Sequence, residues 1–459
     1  MKRKKLGFAA PILLYASLGS TQDSRTVVEP VIPPVCASLD ARVAKSGKSI
    51  APSDEVNLDT QRIQQSLDKC GAGRGVKLQS HGGMNAFVSG PLELREGVTL
   101  IVDKGTTLFA SLQPAVFETS PGSCGVVNAS GHGCKPLISA RNVSGAGVMG
   151  DGIIDGRGGE KLIGGQFSSW ELAEQARAGG SQQVPRLIVT DAANNFTLYR
   201  ITLKNSPNFH VVYNHGDGFT VWGLRIDTPK RLARNTDGVD PGAGSKNITI
   251  THSYIRTGDD NVAIKGGPGG VTNMTVSHNH FYWGHGMSIG SETNGGVSQI
   301  LVDDLSLDGP DSGIRIKSMG TRGGLVHDLL YHDVCIRNSP RPIDLTSAYS
   351  ANGPVKGPSP PTFRDITLRN VRVSGGGKIF FDAYDKDHRM GVRLDNVQLT
   401  DASSPEVHYS YTSNFADLTL GPGASNLQIP HGGDTVIAGT PEAAAAEPCT
   451  QKFVPFPEN

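Results

Sequence analysis

Four short polar clusters in the middle of the chain concentrate the residue types that do chemistry: Asn235-Thr236-Asp237-Gly238, Gly258-Asp259-Asp260-Asn261, Gly284-His285-Gly286 and Ile314-Arg315-Ile316-Lys317. Three carboxylates held close together cannot all stay ionised cheaply, because like charges raise one another's pKa and one of them keeps a proton. An acid then sits beside bases. Cleaving a glycosidic bond with water needs this division, with one carboxylic acid protonating the leaving oxygen while ionised partners activate water. Arg315 and Lys317 suit a substrate that carries carboxylates, arginine being able to grip one with two parallel hydrogen bonds. Taken singly, each cluster has a blander meaning: Asp259-Asp260 as a solvated turn, His285 as a turn residue, Arg315 and Lys317 as an exposed strand face. A calcium site is the serious structural alternative for stacked carboxylates, but two cations beside it would repel a dication. No metal is therefore expected.

What joins the clusters is register. Asp237 lies two residues before Val239, Asp260 two before Val262 and His285 two before Met287, each just ahead of a short apolar strand. A repeat in the chain shows how such positions meet. Apolar residues recur at a start position and two, five and seven residues beyond it: Phe196, Leu198, Ile201 and Leu203, then Phe219, Val221, Leu224 and Ile226. Ile300, Ile366 and Val392 begin further full sets. Ile248 and Met274 begin sets with three of the four positions, and Leu329, Tyr331, Val334 and Ile336 fill the remaining turn. The pairs two apart indicate strand, with a polar bend between them. Starts at 196, 219, 248, 274 and 300 are 23, 29, 26 and 26 residues apart, the period of a solenoid. The expected fold is all-β, a solenoid whose coils stack about 4.8 Å apart. Arg315 and Lys317 then face outward while Ile314 and Ile316 face the core. Asn195, Asn247 and Asn273 each precede a start and are expected to form a hydrogen-bonded ladder. Residues 59–69 read as a short capping helix over the open end, with Asp59 as N-cap and Ile63 and Leu67 on the buried face. The tail after about Ile429 has no repeat and is expected to pack along the outside.

Composition sets the bounds. The 459 residues include 58 glycines and 28 prolines, with 6% aromatics, as many tight turns between short strands require. Lys plus Arg and Asp plus Glu are both 43, so no global field draws in nucleic acid or an anionic membrane. Lys2 to Lys5 followed by apolar residues to about Leu18 read as a signal peptide over residues 1–19, cleaved before Ser20, leaving 20–459 as a single domain. Secretion is therefore expected, with no membrane partner after cleavage. The six cysteines Cys36, Cys70, Cys124, Cys134, Cys335 and Cys449 are an even number in an exported chain, so disulfides are expected. Cys124 and Cys134 flank a short Gly-rich loop, Cys36 with Cys70 would close the N-terminal segment, and Cys335 with Cys449 remains. The sequence leaves that connectivity open, and the oligomeric state too, although a capped solenoid is expected to be a monomer.

The four clusters, in this order and spacing, resemble the signature of the polygalacturonases, glycoside hydrolase family 28: Asn-Thr-Asp, Asp-Asp, Gly-His-Gly and Arg-Ile-Lys. The likeness extends through DSRTVVEP (23–30), GDGIIDGRGG, NSPNFHVV (205–212), GHGMSIGSE (284–292) and SGIRIKS (312–318), and looks closest to bacterial endopolygalacturonases. The resemblance implies a right-handed parallel β-helix that hydrolyses internal α-1,4-galacturonosyl bonds of polygalacturonate, the pectin backbone, with inversion and without a cofactor. By the same resemblance Asp259 matches the general acid, Asp237 and Asp260 the pair that activates water, and His285 the histidine that tunes the acid. Arg315 and Lys317 match the residues that hold the galacturonate carboxylate, with Asn235 and Tyr349 as further substrate contacts. Chain-end cutting, or action on rhamnogalacturonan, is the enzymatic alternative; a β-helical carbohydrate-binding adhesin is the non-enzymatic one. His210, His215 and His252 have no such partners in sequence and are left as structural or surface residues.

Overall fold

The computed structural model describes residues 22–45, 47, 49–129, 131–347, 349, 355–421, 423, 425–430, 434–439, 449 and 452–458; the signal segment lies outside them. The start positions stack as the repeat predicts. Phe196 pairs with Phe219, Phe219 with Ile248, and the column continues through Met274, Ile300, Leu329, Ile366, Val392 and Leu418, every pairing parallel. All nine side chains are buried, and with the apolar residues that stand two, five or seven positions on they form one continuous core. Each fully buried side chain of this size contributes on the order of 1.5–3 kcal/mol.

The bend inside each coil has a backbone cause. Four residues after each start the chain turns left-handed, at Arg200, Gly223, His252, His278, Asp304, Asp333, Asn370 and Asn396, with φ between 49° and 65°. The residue before each start does the same at Asn195, Asn247 and Asn273. Asparagine adopts this region more readily than most residues, which is a stronger reason for its recurrence than the expected ladder. The ladder itself is broken: Asn273 donates to Asn247 at 3.3 Å, but Asn247 donates to Asp217, and Gly218 takes the place next to Asn195.

A second parallel sheet, eleven strands among the described residues, runs from Leu92–Glu93 to Tyr409–Asn414 and carries the four clusters. One antiparallel pairing, Ser181–Gln183 with Val126–Asn128, stands outside the coil as a wall beside this sheet. The capping helix spans Thr60–Lys69 with Ile63 and Leu67 buried in the core. Asp59 sits at its N-cap position without capping it; its carboxylate accepts from Val88 N and Arg62 Nε instead. The three disulfides join Cys36 to Cys70, Cys124 to Cys134 and Cys335 to Cys449. The last described residues lie along the outside, where Val454 accepts from the Tyr282 hydroxyl and Arg256 stacks 3.9 Å from the Phe456 ring centroid.

Candidate active site

The strands Val239–Pro241, Val262–Ile264, Met287–Ile289 and Ser312–Lys317 are successive neighbours in the second sheet, with Val239, Val262, Met287 and Ile314 in one row. This row brings Asp237, Asp259, Asp260, His285, Arg315 and Lys317 together. The Gly-His-Gly turn needs both glycines. Gly284 and Gly286 have φ of +134° and +78°, and a Cβ on Gly286 would lie 1.9 Å from the Ser312 carbonyl oxygen.

Asp260 is the hub. Its side chain is 1% exposed and takes hydrogen bonds from Lys317 Nζ at 2.7 Å, Ser288 Oγ at 2.7 Å and Arg315 at 3.2 Å. Arg315 and Lys317 do face outward from the coil, as alternation predicts, yet they are only 7% and 5% exposed. Facing outward does not leave them exposed: each is held by a carboxylate, because an unpaired buried charge is too costly. Tyr349 closes over both, its ring centroid 5.3 Å from the Arg315 guanidinium and 5.4 Å from Lys317 Nζ. The donor atoms of Asp259, Asp260 and His285 lie within 4.8 Å of one another, near enough to hold a cation, but Lys317 and Arg315 already occupy Asp260.

Protons are not shared as the crowding of three carboxylates suggests. Burial, and then the Asp259 charge, push Asp237 up to about 7. Burial opposes ionisation of Asp259 as well, but the His285 hydrogen bond and charge outweigh it and hold this carboxyl below its ordinary value. His285 Nδ1 stands 3.0 Å from Asp259 Oδ1; although burial disfavours the imidazolium, Asp259 raises its pKa. Asp260 is lowered, Lys317 and Arg315 overcoming its burial. The carboxyl whose pKa is raised is thus Asp237, while the residue matched to the general acid is held low by the imidazole bonded to it.

Two members of the cluster escaped the sequence reading. Lys265 Nζ lies 3.2 Å from Asp237 Oδ2, and despite burial its pKa is raised by Asp237 and Asp240. Asp240 is buried, neither of its oxygens has a hydrogen-bond partner among the described residues, and burial followed by the Asp237 charge pushes its pKa well above the ordinary value. The signal was present. Lys265 follows Ile264 as Lys317 follows Ile316, and the alternation applied to the last cluster would have found both. His210, left as structural, is buried beneath the site. Its Nδ1 lies 3.0 Å from the Asp237 carbonyl and its Nε2 2.8 Å from Thr228 Oγ1, and burial lowers it to about 4, so the ring is neutral. His215 pairs with Asp191 and His252 stacks between Trp222 and His278, away from the cluster. Asn235 is not among the cations; it faces a cavity of about 610 Å³ on the N-terminal side of the aspartates and accepts a hydrogen bond from Gln182.

Comparison with known proteins places this geometry. The profile of the glycosyl hydrolases family 28 matches residues 86–416. The chain is 43% identical over 397 residues to an endo-polygalacturonase of Pectobacterium carotovorum subsp. carotovorum, covering 86% of this chain and 94% of that protein. It is 37% identical over 493 residues to a polygalacturonase of Ralstonia nicotianae, covering 94% and 92%. Among solved structures, the polygalacturonase from Erwinia carotovora ssp. carotovora superposes with a TM-score of 0.76 at 40% identity, over 86% of this chain and all of that one.

Proposed function

This chain belongs to glycosyl hydrolase family 28, and on that premise we propose that it is a secreted endopolygalacturonase, acting as a monomer and hydrolysing internal α-1,4-galacturonosyl bonds of polygalacturonate with inversion. One observation carries the reading: buried Asp237 and Asp260 and half-buried Asp259 converge on a row of strands, with Arg315 and Lys317 held against Asp260 at 3.2 and 2.7 Å. Such an arrangement serves a polyanion whose bonds are cut by acid and base. Asp259 is the general acid, its proton supplied by His285 across the 3.0 Å contact as the leaving oxygen draws it away. Asp260, ionised, activates water, joined by Asp237 once pH rises through about 7 and its carboxyl ionises; Asp237 Oδ1 is buried with no hydrogen-bond partner among the described residues. Arriving galacturonate exchanges its carboxylate with Asp260 for Arg315 and Lys317, and Tyr349 packs on the same sugar. Export is supported by the basic-apolar leader and the three disulfides.

A timed product profile on de-esterified pectin tests the reading. A spread of oligomers early in the reaction, without ultraviolet-absorbing unsaturated ends, is expected. Monomer or dimer alone would defeat internal cutting, and unsaturated ends would replace hydrolysis with elimination.

His285 sets the alkaline side of the pH profile. Its proton is present below its raised pKa and is lost as pH rises through that value, taking the Asp259 proton supply with it. His285→Asn should lower kcat by about 10² and move the alkaline limb of kcat/KM to lower pH. A variant whose limb stays where the wild type has it would show that the imidazole is not the proton source.

A further inference from the structure

The column that holds the catalytic acids continues toward the N-terminus. Ile188 pairs with Val211 and Val211 with Val239, so Arg186 and Phe209 occupy the same place, two residues ahead of the strand, as Asp237 and Asp260. Backbone bonds from Leu187 N to Phe209 O, His210 N to Asp237 O and Gly238 N to Asp260 O show the stacking unbroken. Arg186 therefore stands two coils from Asp237, a rise of about 9–10 Å, with Phe209 between them.

Arg186, half-buried, differs from the chain's buried arginines. Arg157 is held by Glu55 and Glu160 and Arg315 by Asp260, as buried charges require. Among the described residues Arg186 has no carboxylate within ion-pair distance; its Nε reaches only Asn208 Oδ1, at 3.4 Å, and its guanidinium lies 4.9 Å from the Phe209 ring centroid. Burial lowers its pKa, with Asp240 and Asp237 pulling the other way. The guanidinium stays cationic. It lines the cavity of about 610 Å³, together with Lys135 and Arg141, and no Asp or Glu is among the lining residues. In a chain whose formal net charge is zero, a cavity with three cations and no acid is built for an anion.

We propose that Arg186 and Phe209 form a distal subsite, in which Arg186 grips the carboxylate of a galacturonate about two sugars from the scissile bond and Phe209 supports the ring between. A pyranose unit with its linkage is comparable in length to the coil spacing of about 4.8 Å, so a chain lying along the column presents roughly one carboxylate per coil. The Phe209 ring lines the same cavity, with the Arg186 guanidinium 4.9 Å and Lys265 Nζ 5.7 Å from its centroid, and so stands where the intervening sugar would lie. This subsite rests on the polygalacturonate reading. It adds that substrate is held from the N-terminal side by a cation the catalytic motifs do not contain.

The test uses hexagalacturonate titrated calorimetrically into the full chain carrying Asp259→Asn. Adding Arg186→Met should weaken binding about tenfold to a hundredfold, the worth of a hydrogen bond to a charged group, and Phe209→Ala about three- to tenfold. In the otherwise unaltered enzyme Arg186→Met should raise KM for polygalacturonate similarly, with kcat within about threefold. Fully methyl-esterified oligomer should bind with and without Arg186→Met alike. If both variants keep the parent's melting temperature and bind hexagalacturonate within about twofold of it, the subsite is wrong while the catalytic reading stands. If the Asp259→Asn parent binds no hexagalacturonate, the substrate reading fails and the subsite with it.

Discussion

Asp259→Asn is expected to lower kcat on polygalacturonate by about 10³ or more, with KM within about threefold and the melting temperature unchanged. The magnitude is that of a positioned general acid, about 10² to 10⁴, taken at its upper part because the amide also breaks the proton path from His285. The steric change is small. Asp259 Oδ1 accepts from His285 Nδ1 and from the backbone N–H of Asp260, and an asparagine oxygen can continue both. Binding energy in the ground state comes from Arg315, Lys317 and Tyr349, which the substitution leaves in place, so KM should barely move. Initial rates over a substrate range, with a thermal melt as control, decide it. Wild-type turnover in a folded Asp259→Asn protein would remove the acid assignment.

Asp260→Asn should separate chemistry from binding in the opposite sense. The carboxylate takes three hydrogen bonds, two from cations that are themselves buried, and the amide leaves Lys317 and Arg315 with a net positive charge they do not now have. We expect kcat to fall by about 10² to 10⁴ through loss of the water-activating anion. KM should fall too, since two under-neutralised cations hold galacturonate more tightly. Breaking a buried pair costs about 3–5 kcal/mol, and an isosteric amide that keeps one acceptor should cost near the lower figure. The sign with pH follows from the lowered Asp260 pKa. Ionised Asp260 stabilises the fold at all pH above its unfolded value near 4, and that contribution disappears as pH falls through the folded value, so wild type and variant should converge in acid. A variant with wild-type kcat, or with a raised KM, would contradict the proposed exchange of carboxylates.

These two substitutions depend on features that differ in how far the sequence disclosed them. The coil was legible because it is written in the spacing of apolar residues. Phe196, Phe219 and Ile248 must point inward at intervals near the length of one turn, and a parallel stack is the arrangement that buries them all. The same arithmetic placed Asp237, Asp260 and His285 in one row, and alternation put Arg315 and Lys317 on the outer face. The asparagines before each start were legible too, but for a ladder rather than for the left-handed turn that explains them. Asp240, Lys265, Arg186 and Phe209 obey the rules that found the motifs, yet none lies in the four polar clusters.

By itself, then, the sequence determined the architecture, the catalytic row and the residue types that could meet there, because period and alternation fix which coil and which face a side chain occupies. It did not determine where the protons rest or which charges are already matched. That Asp237 is pushed up while Asp259 is held down, that Lys317 and Arg315 are bound to Asp260, and that Arg186 faces a cavity lined by no carboxylate were settled by burial and by distances of a few ångströms. Electrostatic energies change with separation and with the exclusion of water, and both are set only when the coils have closed on one another.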